Sequence, residues 1–227
     1  MSPLKALFNV LFPTTCVCCD RTLVVGEHIV CLRCMADVAP VGYSAMHDNP
    51  VERRLMGCIN LVSASAMCDF VKDGVVQKIV HSMKYHGNAD LCRMMGRQMG
   101  MDLLHSGRFD DVDVLIPIPL HWYRRMQRGY NQSKLLCDGI VEVFPRPINT
   151  TAVVRHRYTR RQSLQNRTGR EGNVEGAFRL RRPNELKGCH MLLVDDVLTT
   201  GATVRACASV LENVEGLKVS VAVFSLA

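Results

Sequence analysis

The chain has 227 residues, 48% of them hydrophobic and 22% charged, enough to bury one substantial core with a small appendage. Its formal net charge of +7 is concentrated in residues 121–182, where fourteen Lys and Arg stand against four Asp and Glu, so this stretch attracts phosphate-like anions. No run approaches the roughly eighteen uncharged apolar residues of a transmembrane span, and an odd set of eleven cysteines with no secretory signal argues for the reduced thiols of a cytoplasmic protein.

In chain order, Leu4, Leu7, Phe8, Leu11 and Phe12 recur at helical spacing and predict a short docking helix, with peripheral contact to a membrane surface as the alternative. A cysteine module follows over residues 14–39 and ends at Pro40, which predicts a boundary between residues 1–40 and a main domain over 41–227. Cys16-x-x-Cys19 and Cys31-x-x-Cys34, eleven residues apart, have the spacing of a four-thiolate zinc site, because each C-x-x-C turn places two sulfurs on one ion. Four thiolates leave no position for water, so such a Zn2+ would be structural and contribute on the order of 10 kcal/mol to folding. A redox pair or disulfides are the alternatives. Cys18 would break the two-residue spacing and is read as a neighbouring thiol, and the other six cysteines as small core residues.

From residue 61 the pattern alternates. It predicts an apolar segment over 61–70, a helix through Lys84, a helix over 88–105, a strand over 112–117, a helix over 132–143 and a strand over 152–155. A strand over 190–194, a helix over 202–214 and a final strand over 218–226 complete the series. Strands alternating with helices predict an α/β domain with a mainly parallel sheet flanked by helices, in which ligands sit beyond the carboxyl ends of the strands.

Residues 191–203 read MLLVDDVLTTGAT: an apolar strand, the adjacent acids Asp195 and Asp196, then Thr199, Thr200, Gly201, Ala202 and Thr203 opening a helix. Free backbone N–H groups at a helix start attract phosphate, and the two carboxylates can accept from ribose hydroxyls or help hold a divalent cation. A Walker B strand has a similar apolar run and acids, but the chain contains no G-x-x-x-x-G-K-[ST] to cradle a nucleoside triphosphate.

A second strand ends in Pro117, Ile118 and Pro119, and Arg124, Arg125 and Arg128 crowd the turn that follows. This predicts a second phosphate subsite, since guanidinium groups match phosphate oxygens, with a solvated basic face as the bland alternative. Residues 155–170, rich in Arg, Gln and Ser and including Arg161, predict a loop able to close over the site. Trp122, Tyr123, Tyr130 and Tyr158 beside these arginines also offer stacking faces for single-stranded DNA.

Lys84-Tyr85-His86-Gly87, the PIPLH and RGYNQ segments, Arg161-Gln162 with Arg167 and Asn173, GAF at residues 176–178 and VDDVLTTGAT together resemble the ComF/GntX family. That family pairs a zinc-finger-like module with a type I phosphoribosyltransferase-like domain, and the resemblance covers nearly the whole chain; Asp20 departs from a common glycine. It implies phosphoribosyl pyrophosphate (PRPP) with Mg2+ as ligand. Asp195 and Asp196 would be the catalytic acids on the ribose hydroxyls, and Thr199 to Thr203 would hold the 5-phosphate. Lys84, Pro117, Ile118, Pro119 and Arg128 would face the pyrophosphate, and Arg161 would lie in the closing loop. The resemblance further implies transfer to an acceptor the sequence does not name, a link to DNA uptake and a protein partner in the competence machinery. A non-catalytic PRPP sensor or a single-stranded DNA-binding accessory protein is the alternative.

Overall fold

A computed structural model describes residues 14–58, 60–85, 87–157 and 176–227. The predicted first helix, His86, Tyr158, Arg161, Arg167 and Asn173 lie outside the described residues. In chain order the elements are α1 (Leu32–Ala36), α2 (Pro50–Arg54), β1 (Leu61–Asp69), α3 (Val75–Tyr85), α4 (Ala89–Ser106), β2 (Val114–Pro117) and α5 (Trp122–Arg128). They continue with α6 (Gln132–Val141), β3 (Val153–Arg155), β4 (Phe178–Leu180), β5 (His190–Leu198), α7 (Ala202–Ser209) and β6 (Lys218–Leu226).

Four strands form one sheet in the order β1-β6-β5-β2, each neighbouring pair parallel. Their sequences are near-continuous apolar runs because both faces are covered. Leu192, Val194, Ala222 and Phe224 share a core with Ile79 and Met83 of α3, Met95 of α4 and Leu136 of α6. Alternate residues Leu193, Val221 and Val223 share the opposite core with Val51 of α2 and Val204 and Cys207 of α7. β3 and β4 pair antiparallel outside this sheet, with Val153 opposite Leu180.

Helices α4 and α6 meet backbone to backbone. A Cβ on Gly139 would lie 2.0 Å from the Arg93 carbonyl oxygen, and one on Gly96 would lie 2.2 Å from that of Leu136. The prediction is that Gly139→Ala costs about 2–3 kcal/mol by forcing the helices apart, despite alanine's better helix propensity. Urea unfolding would measure it, and an unchanged midpoint would show that the two backbones have room to separate.

Three expectations need correction. The strand predicted over 190–194 continues to Leu198, so Asp195 and Asp196 lie within β5 rather than beyond its tip. Pairing with β6 carries it there, since Leu198 is still in register with Leu226. The helix predicted over 202–214 stops at Ser209. The turn crowded by arginines is itself a helix, α5.

Candidate functional site

Adjacent residues of a strand point to opposite faces, and Asp195 and Asp196 accordingly meet different neighbours. Lys84, at the end of α3, places Nζ 3.0 Å from Asp196 Oδ2, with both side chains only 12% exposed. Ser133 Oγ, in the first turn of α6, donates to Asp195 Oδ1 at 2.9 Å. Burial first, then the neighbouring Asp196 charge, pushes Asp195 up to about 7, while the Ser133 hydrogen bond and Lys84 oppose the shift.

Beyond β5, Thr199 and Thr200 are exposed, and Gly201 turns the chain into α7 with φ +81°. A side chain at Gly201 would be strained in that left-handed region and would come within 3.0 Å of Leu55 Cδ2. Ala202 and Thr203 form the first turn of α7, where backbone N–H groups lack intrahelical partners. Two arginines stitch this loop to the segment after α2. Arg54 Nη1 donates to the carbonyls of Thr199, at 2.8 Å, and Ala227, and Arg205 donates to those of Met56, at 3.1 Å, and Arg54.

The proline turn lies beside the two acids of the same strand, because the Ile118 N–H donates at 2.9 Å to the carbonyl of Val194, the residue before Asp195. Asn131 Nδ2, at the cap of α6, donates to the Ile118 carbonyl at 3.0 Å and fixes the turn from the other side. The Arg128 guanidinium sits 5.6 Å from the centroid of the Tyr85 ring, next to Lys84, and Tyr130 Oη donates to the Met83 carbonyl at 2.9 Å. Thus Lys84 and the turn at Pro117, Ile118 and Pro119 meet β5 at its two acids, Arg128 lies over the residue that follows Lys84, and the loop from Thr199 to Thr203 continues from the carboxyl end of the same strand. Sequence reasoning did not single out Ser133 or Arg155 for this site. Arg155 ends β3 over the Phe178 ring at 5.2 Å; burial, then the charge of Arg124, lowers its pKa, and Asp195 opposes the shift.

In the N-terminal module the sulfurs of Cys16, Cys19, Cys31 and Cys34 all lie within 4.8 Å of one another, with Cys19 Sγ and Cys31 Sγ 3.7 Å apart. Tetrahedral zinc with Zn–S bonds of about 2.3 Å needs sulfurs roughly 3.8 Å apart, so the donor set and its size fit that ion. Cys16 Sγ accepts from the N–H groups of Cys31 at 3.3 Å and Cys18 at 3.4 Å. Burial raises the Cys16 pKa, but these backbone donors outweigh it and bring the thiol down to about 6, toward the thiolate a metal requires. Cys18 is buried outside this cluster, and burial followed by the Cys16 charge pushes it up to about 12.

A family model described as the phosphoribosyl transferase domain matches residues 138–226, the stretch that contains β5, α7, β6 and both acids. Over 213 residues the chain is 22% identical to Competence protein F of Haemophilus influenzae, an alignment that covers 89% of this chain and 92% of that one. The chain is similar to ComF-family proteins. The chain has a type I phosphoribosyltransferase-like fold, a mainly parallel sheet flanked by helices, preceded by a four-cysteine cluster. It is also 34% identical over 136 residues to DNA utilization protein YhgH of Shigella flexneri, and the match spans 59% of each chain. Among solved structures it is similar to the glutamine PRPP amidotransferase from B. subtilis complexed with ADP and GMP. That likeness has 17% identity and a TM-score of 0.41 over 63% of this chain and 30% of that one. No described helix is long and apolar enough to cross a membrane.

Proposed function

We propose that this protein binds PRPP with Mg2+ and transfers its phosphoribosyl group to an acceptor, in the cytoplasm and in work linked to DNA uptake. The observation that carries this reading is the Lys84–Asp196 pair at the strand end beside the Thr199 to Thr203 loop. Among these groups a sugar phosphate finds cationic, hydroxyl-accepting and anion-binding partners within one site. In the absence of ligand the pair keeps a poorly hydrated site near neutral. An arriving pyrophosphate competes for Lys84, with Arg128 beside it, and frees Asp196 to accept from a ribose hydroxyl. Asp195 accepts from the second hydroxyl, and the N–H groups and hydroxyls of residues 199–203 take the 5-phosphate.

Two adjacent carboxylates left with fewer cations form an all-oxygen donor set that fits a hard divalent ion. Mg2+, when bound with PRPP, supplies charge stabilisation for the departing pyrophosphate. The chain's own residues hold the ribose and orient the leaving group, so positioning and electrostatics supply most of the rate. In the same reading the four clustered cysteines hold a structural Zn2+.

Calorimetric titration of PRPP and Mg2+ into the protein tests the proposal: saturable binding supports it, and an absence of heat from folded protein overturns it. Pyrophosphate release on adding candidate acceptors separates an enzyme from a PRPP sensor. An ionised Asp195 accepts from a hydroxyl more strongly than a protonated one, so PRPP affinity should strengthen as pH rises through about 7. A flat pH profile would remove Asp195 from that role.

A second reading has its own observation. Helix α5 buries none of its side chains, leaving Trp122 62% and Met126 73% exposed beside Arg124, Arg125 and Arg128. Such a face suits single-stranded DNA, alone or alongside a partner from the uptake machinery. Binding of an oligonucleotide that weakens steeply with salt and with Trp122→Ala would favour it.

A further inference from the structure

We infer that Lys78 is a positioning residue through which the metal-bound cysteine module holds Lys84 in the PRPP site, an inference that rests on the PRPP reading above. Helix α3 carries both lysines. Lys78 Nζ donates to the Cys18 carbonyl at 2.6 Å, inside the first cysteine turn between Cys16 and Cys19. Six residues later, about 9 Å along the helix axis, Lys84 Nζ meets Asp196 at 3.0 Å. One end of a stiff rod is therefore tied to the module and the other to the candidate site.

The tie is narrow on this side. A cleft of about 410 Å³ separates Val17 and Asp20 of the module from Gln77 and His81 of α3, and Lys78 reaches across it. Elsewhere the module and helix share one core, in which Cys16, Cys18 and Cys31 pack with Ile79, Met83 and Leu91. The direction of the Cys18 carbonyl depends on the cysteine turn around it, since the Cys18 N–H donates to Cys16 Sγ at 3.4 Å. A metal on Cys16 and Cys19 holds that turn closed and the carbonyl aimed at Lys78. Loss of the metal releases the turn, Lys78 loses its acceptor, and the last turn of α3 is anchored less firmly where it presents Lys84.

Removing zinc also threatens the fold, so the decisive variant leaves the ligands intact. Lys78→Met keeps the aliphatic stem and removes the donor. Three measurements apply to it: zinc content, amide hydrogen exchange over residues 79–85, and PRPP–Mg2+ affinity by calorimetry. Retained zinc, faster exchange in the last turns of α3 and PRPP binding weakened about 5- to 10-fold are expected, within the usual range of coupling between sites. In a Lys84→Met background the same substitution should leave the remaining PRPP affinity unchanged, which a merely structural role would not produce. Unchanged PRPP affinity in zinc-replete Lys78→Met, or an equal loss with and without Lys84, overturns the inference. If wild-type protein binds no PRPP, the PRPP reading fails instead. Hydrogen exchange then still decides whether Lys78 ties the module to α3, and unaltered exchange overturns that tie.

Discussion

Asp195→Asn is expected to weaken PRPP binding about 10- to 100-fold, the loss of a hydrogen bond to a charged acceptor, while raising the stability of the unliganded protein at neutral and higher pH. The two effects have one cause. The Asp195 pKa is raised to about 7, first by burial and then by the charge of Asp196. A carboxyl whose folded pKa lies above its unfolded value holds its proton more tightly in the folded state, so stability falls as pH rises from the ordinary aspartate range toward about 7 and levels off above it. Asparagine removes that penalty and can still accept from Ser133. Melting temperature against pH and PRPP calorimetry together give the answer; a variant less stable than wild type at pH 8 would sink the idea that this acid is held at a cost for the sake of a ligand. Asp196→Asn should behave differently. It strips Lys84 of its partner in a site where both groups are 12% exposed, and should lose about 3 kcal/mol of stability as well as PRPP affinity.

Removal of a metal held by the four-cysteine cluster is expected to be the second large effect. Structural zinc on four thiolates contributes roughly 10–16 kcal/mol, against a total domain stability of about 5–15 kcal/mol. Cys16 and Cys31 are fully buried in the core that also contains Ile79, Met83 and Leu91, so the module cannot loosen without disturbing α3 and α4. Cys31→Ser should lose the metal and lower the melting temperature by more than about 10 °C, and a strong chelator should do the same to wild type. Cys18→Ser should keep its full metal content and lose only about 1–2 kcal/mol for burying a hydroxyl in a thiol's place. Metal analysis of the two variants decides the ligand set: equal loss from both would mean that Cys18 coordinates. Full retention by Cys31→Ser would remove the four-thiolate site.

Sequence alone determined what is local. The two C-x-x-C turns, the apolar strand with its acids and the small-residue loop that opens α7 are each written within a short span, because strand period, cysteine spacing and helix starts depend on near neighbours. The alternation of strands and helices was enough for the parallel architecture. It was not enough for α5, whose side chains are all left unburied and which therefore carries no periodic apolar signal, nor for the far end of β5, which persists past two aspartates because β6 continues to pair with it. Tertiary structure alone decided the partners of the acids and of the loop. Ser133 reaches Asp195 across 62 positions, Arg54 reaches Thr199 across 145, and Lys78 reaches Cys18 across 60. Such pairings depend on the order in which strands enter the sheet and the face each helix covers, a long-range packing outcome that no local residue pattern encodes.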